Sequence, residues 1–138
     1  MKTFTSDLYG KRLEACDLPG AEEVAGILRQ GTWARLTCVW RAGVEVRVNG
    51  TGELERWLVL DLGESFSVDD APLLRVEMRG VRDWEIPDEP DIIGLVIDDI
   101  SEARWEGIKY RLHDYEGGGF YAVCANVRLS LEGKPGID

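Results

Sequence analysis

Hydrophobic and polar positions along the chain change their period once, near Gly31, and that change separates two kinds of element. Before it, Val24, Ile27 and Leu28 recur at i, i+3 and i+4 behind Leu18-Pro19-Gly20-Ala21-Glu22-Glu23, and Arg29 and Gly31 come next. Proline and acids suit a first helical turn, while a cation and a glycine suit a last one. This spacing predicts an amphipathic helix over residues 19–30. After Gly31 the period is two. Ala34, Leu36, Cys38 and Trp40 alternate with Arg35, Thr37, Val39 and Arg41, and Val44, Val46 and Val48 alternate with Glu45, Arg47 and Asn49. These read as two strands joined by a tight turn at Ala42-Gly43. Asn49-Gly50-Thr51-Gly52 is a hairpin signal leading into a third strand, 54–62.

A polar loop from Gly63 to Ala71 precedes a fourth strand with Leu74, Val76 and Met78 on one face. Pro87 and Pro90 remove ladder donors, so residues 84–91 read as a surface loop. The apolar run from Ile92 to Ile97 reads as a strand, with a helical turn as the alternative. Trp105 to Asp114 alternates again, with Ile108, Tyr110 and Leu112 opposite Lys109, Arg111 and His113, and Gly117-Gly118-Gly119 turns the chain back. In the final strand Tyr121, Val123, Ala125, Val127, Leu129 and Leu131 share a face, the first five of them expected to be core, with Cys124, Asn126, Arg128 and Ser130 opposite. The expected fold is one domain over residues 1–138, α+β and mainly β. One N-terminal helix packs on a bent antiparallel sheet of six to eight strands, a meander plus a C-terminal hairpin.

Charge narrows the class of partner. Sixteen Lys plus Arg against 26 Asp plus Glu leave a net charge of −10, and the basic residues are spread along the chain without a cluster, so a phosphate backbone is a poor match. Three cysteines, Cys16, Cys38 and Cys124, show no zinc spacing and no CxxC pair, which fits a reducing compartment. The start MKTFTSDLYGKRLE lacks an apolar signal core, and no run approaches the roughly 20 apolar residues of a membrane span. A cytoplasmic protein that contacts no membrane is the expectation.

Catalytic chemistry finds little to assemble. The single histidine, His113, neighbours Asp114, but adjacent strand residues point to opposite faces, and no GxSxG elbow is present. The glycine run could form an anion nest, yet Asp114 and Glu116 precede it and no Lys-Ser/Thr comes after it. A carboxylate-dependent hydrolase or a calcium site lacks its characteristic spacing. No cofactor, metal or catalytic residue is expected.

Acids cluster at one place. Asp88, Glu89, Asp91, Asp98, Asp99, Glu102 and Glu106 lie together in the sequence with only Arg104 among them, bracketed by Trp84 and Trp105. Acids beside large aromatics are the stock of protein interfaces, so these nine residues, the two tryptophans and seven acids, are the expected contact surface for a basic protein. Residues Asp99-Ile100-Ser101, Trp105-Glu106-Gly107-Ile108-Lys109-Tyr110, Asp114-Tyr115-Glu116-Gly117-Gly118 and Phe120 to Cys124 resemble the C-terminal half of small bacterial immunity proteins of polymorphic toxin systems. The resemblance spans about a quarter of the chain. It implies an acidic single-domain protein that neutralises a cognate toxin by binding, and it carries over no active-site residue. A small-ligand or carbohydrate-binding β domain is the alternative, with a small hydrolase behind it.

Overall fold

The computed structural model describes residues 10–26, 32–67, 71–88, 92, 94–103, 105–114 and 119–134. Among them are nine strands: β1 (Lys11–Leu13), β2 (Cys38–Val48), β3 (Leu54–Gly63), β4 (Leu73–Arg79), β5 (Asp83–Glu85), β6 (Leu95–Asp99), β7 (Tyr110–Asp114), β8 (Tyr121–Cys124) and β9 (Asn126–Glu132). They form two antiparallel sheets, not one bent sheet. Five strands run in the order β1-β6-β7-β8-β5 and four in the order β2-β3-β4-β9. Leu58, Leu60, Leu62, Leu74, Val76, Met78, Val127 and Leu129 of the second sheet share one buried cluster with Ile97, Leu112, Ala122 and Cys124 of the first. The molecule is a β-sandwich whose inner faces make the core.

The expected N-terminal helix does not form. Residues 18–25 close instead as successive turns, with Ala21, Glu23, Val24 and Ala25 each donating to the carbonyl three residues back. Two contacts with β9 account for this. Leu129 N–H donates to Pro19 O at 2.8 Å, and Gly20 lies against the Leu129 carbonyl with φ +88. An edge donor that β4 does not use thus captures the segment, and a left-handed residue cannot sit inside an α-helix. The amphipathic pattern still did its work at one position, because Val24 is buried in the core. Ile27 and Leu28, the rest of the apolar stripe, fall outside the described residues. The only α-helix among the described residues is one turn, α1 (Thr32–Arg35).

Several strands are shorter or longer than alternation suggested. Ala42-Gly43 is no turn: β2 runs unbroken for 11 residues, and its first turn comes at Asn49 to Gly52, where Asn49 Oδ1 accepts from the Thr51 and Glu53 amides. A β-bulge between Val39 and Arg41 rotates Trp40 off the inner face. Its indole N–H donates to Ser65 O, and its ring packs on Phe66. The strand expected over Ile92 to Ile97 begins only at Leu95, and that over Trp105 to Asp114 only at Tyr110. The long final strand is two strands in different sheets. At Ala125 the chain leaves the five-stranded sheet, and the inward parity changes from Ala122 and Cys124 to Val127 and Leu129. Val123, expected in the main core, instead packs with Ile100 and Ile108 on the outer face, beside a half-buried Tyr121.

Burial also separates the thiols. Cys124 is fully buried and its surroundings push its pKa up to about 12, whereas Cys16 is exposed and Cys38 half-buried. A thiolate-selective reagent near neutral pH is expected to label Cys16 first and Cys124 only on unfolding. Peptide mapping checks this, and equal native labelling of the two would mean β8 is not packed as described.

Candidate functional site

The acidic segment is less of a surface than its composition suggests. Asp98 on β6 is 2% exposed: Arg12 Nε of β1 donates to its Oδ1 at 2.8 Å, and Arg111 Nη2 of β7 donates to its Oδ2 at 2.6 Å. His113 Nε2 lies 3.6 Å from the same Oδ2. Burial alone would raise the Asp98 pKa, but hydrogen bonds from His113, Arg111 and Arg12 overcome it and hold the carboxyl well below the usual range. Asp99 spends its Oδ1 on the Ser101 amide and hydroxyl, at 2.9 and 2.6 Å, starting the 3₁₀ turn Ser101–Ala103. Both are structural acids. Trp84, on edge strand β5, is half-buried against the core with the Arg56 guanidinium 4.9 Å above its ring. It is no free anchor. Asp88, Glu102, Trp105 and Glu106 are exposed, while Glu89 and Asp91 lie outside the described residues.

A different surface stands out at the tip of the β2–β3 hairpin. Cross-strand partners share a face, and the register pairs Val44 with Leu58, Val46 with Arg56 and Val48 with Leu54. Leu58 is in the core, so all six residues belong to the sheet's inner face. Yet Val44, Val46, Val48 and Leu54 are 36%, 58%, 67% and 73% exposed. The hairpin carries its apolar inner face beyond the cover of the opposite sheet. Sequence reasoning placed these residues in strands but missed that they are open. The available signal was length: β2 and β3 span 11 and 10 residues, against three to five in the other sheet.

This face forms one wall of a cleft of about 400 Å³, in which Val46, Leu54, Glu55 and Arg56 meet Arg82 and Gly107. Arg82 donates to Glu106 O at 3.0 Å, fixing the far wall. Among the described residues that line it, Glu55 is the one carboxylate and none is a tryptophan. Arg79 Nε holds Glu55 at 3.0 Å. The arrangement suits contact with an apolar group flanked by a charge more than glycoside hydrolysis, which uses two carboxylates facing one bond.

Neither is a metal cage evident, for no cluster of three His, Cys, Asp or Glu among the described residues is placed to hold an ion. Nor is any helix among them long and apolar enough to cross a membrane. No protein-family model, curated protein or solved structure matches this chain.

Proposed function

We propose that this protein is a cytoplasmic protein-binding domain that engages its partner at the open hairpin end of the sandwich. The observation that supports this most is the row Val44, Val46, Val48 and Leu54, four large apolar side chains left exposed together on an inner sheet face. Contiguous exposed apolar area rimmed by charge is the mark of an interaction surface. The net charge of −10, with exposed Asp88, Glu102 and Glu106, favours a basic partner by speeding encounter. Within that class the resemblance of residues 99–124 to immunity proteins points to a toxin.

The test is capture from cells of the native organism with wild type and with the double variant Val48→Asp plus Leu54→Asp. Both side chains are exposed, so the variant should keep its denaturant midpoint nearly unchanged. Wild type should retain a protein that the variant loses, with the loss appearing as faster dissociation once that protein is purified. Equal capture by both would remove this surface from consideration. Turnover of a sugar or ester by the purified domain would remove the binding class altogether.

A further inference from the structure

Among the described residues β2 is an edge strand that pairs only with β3. Asn49 N–H donates to Glu53 O at 2.8 Å, which makes 49 and 53 a hydrogen-bonded pair. Stepping by two along the register, residues 47, 45 and 43 turn their backbone groups toward β3. The donors and acceptors of Val44, Val46 and Val48 therefore face the open edge. Such an edge is a template for another strand. Here it holds no proline and no lysine, and the bulge next to Trp40 ends its regular part at Arg41.

We propose that a second copy of this chain occupies the edge, β2 against β2 antiparallel, about a two-fold axis through Val46. In that register Val46 meets its own equivalent, Val44 meets Val48, and each pair exchanges two backbone hydrogen bonds. Glu45 meets Arg47, and by symmetry Arg47 meets Glu45. Both already lie on the outer face as an ion pair within one strand, so the pairing makes a square of alternating charge.

Neighbouring registers fail on charge or geometry. An axis through Glu45 sets Glu45 on Glu45, one through Arg47 sets Arg47 on Arg47, and one through Val44 sets Arg47 on Arg41. An axis through Gly43 would match Arg41 with Glu45, but it draws the bulge into the ladder. Of these alignments only the axis through Val46 sets opposite charges together without drawing in the bulge. The result is an eight-stranded sheet in which the two open hairpin faces lie side by side.

The inference is argued from the edge backbone and the Glu45 and Arg47 charges of the outer face, although the paired strand also carries Val44, Val46 and Val48 of the surface proposed above. Its test is sedimentation velocity across micromolar to millimolar protein with Glu45→Lys and Arg47→Glu, each alone and mixed. Glu45→Lys alone sets Lys against Arg twice, and Arg47→Glu alone sets Glu against Glu twice, so each is expected as monomer. Mixed in equal amounts they restore two opposite-charge contacts, and the dimer should return. A wild type that stays monomeric overturns the proposal, as does a dimer indifferent to Glu45→Lys or a folded mixture that fails to recover. Arg47 also stacks on Trp57 at 4.0 Å, a contact within the fold that Arg47→Glu gives up. Val44→Pro is therefore the second probe: it removes one outward donor that β3 does not use, and should give a folded monomer. Partner capture is read on Glu45→Lys, whose side chain lies on the outer face away from Val44, Val46, Val48 and Leu54; loss of dimer there with capture intact separates this inference from the proposed function.

Discussion

Replacing Gly20 with alanine is expected to destabilise the fold by about 3 kcal/mol or more, because among the described glycines it is the one where an added Cβ would meet its nearest neighbour most closely. Two costs combine. Gly20 has φ +88, where an L side chain is strained by roughly 1–2 kcal/mol. A Cβ there would also sit 2.0 Å from the Leu129 carbonyl oxygen, a backbone atom of strand β9. Something must shift, and the nearest candidate is the Pro19–Leu129 hydrogen bond that anchors the N-terminal segment. Val24 and Leu18 reach the core through that segment, so their burial loosens with it. Chemical denaturation should show a lower midpoint with an unchanged slope. Gly26 gives the control, since a Cβ there meets nothing within 4 Å and its alanine variant should be near neutral. A Gly20 variant as stable as wild type would show that the segment does not dock on β9.

Asp98→Ala is expected to cost about 3 kcal/mol, because it takes the carboxylate away from the Arg111 guanidinium, a buried cation whose side chain is 6% exposed. Arg12, more than half exposed, can return to water and adds little. The charge carries a pH signature as well. The folded-state pKa of Asp98 lies below its ordinary value of 3.8, so its contribution is present above that value. It fades as pH falls from there toward the lower folded-state value. Asp98→Asn keeps the shape without the titration, and its stability should change less than that of wild type on acidification below about pH 4. Parallel acid profiles for the two proteins would place the stabilising role elsewhere.

How much of this was legible in the sequence varied with the range of the interaction. The strands over β3 and β4 and the Asn49 to Gly52 turn were readable because alternation and turn chemistry are local, and Leu74, Val76 and Met78 face the core as their spacing implied. The bulge next to Trp40 and the bend at Ala125 were not. Between Tyr121 and Cys124 every side chain is apolar or aromatic, so either parity fits, and only Asn126 and Arg128 set the phase of β9. The helix failed because Pro19 and Gly20 answer to Leu129, more than a hundred positions away. The burial of Asp98 was hidden for a related reason. The arginine that neutralises Asp98 from β1 is 86 residues upstream, where no window of composition could find it. The open hairpin face was hidden because exposure of a valine depends on where the other sheet stops.

The topology also dictates when the fold can be completed during synthesis. β2, β3 and β4 are consecutive and pair locally, so residues 38–79 can assemble as soon as they leave the ribosome. Everything else must wait. β1 has no partner until β6 appears near residue 95, β5 none until β8 near residue 121, and β4 keeps an open edge until β9 arrives, last of the nine strands. A nascent chain therefore holds its early meander with one apolar face bare for most of translation. A chain stopped at residue 124 would have every strand of one sheet and lack the closing strand of the other. Long-range pairing of this kind folds slowly, on the order of milliseconds to seconds, and leaves the incomplete chain open to aggregation.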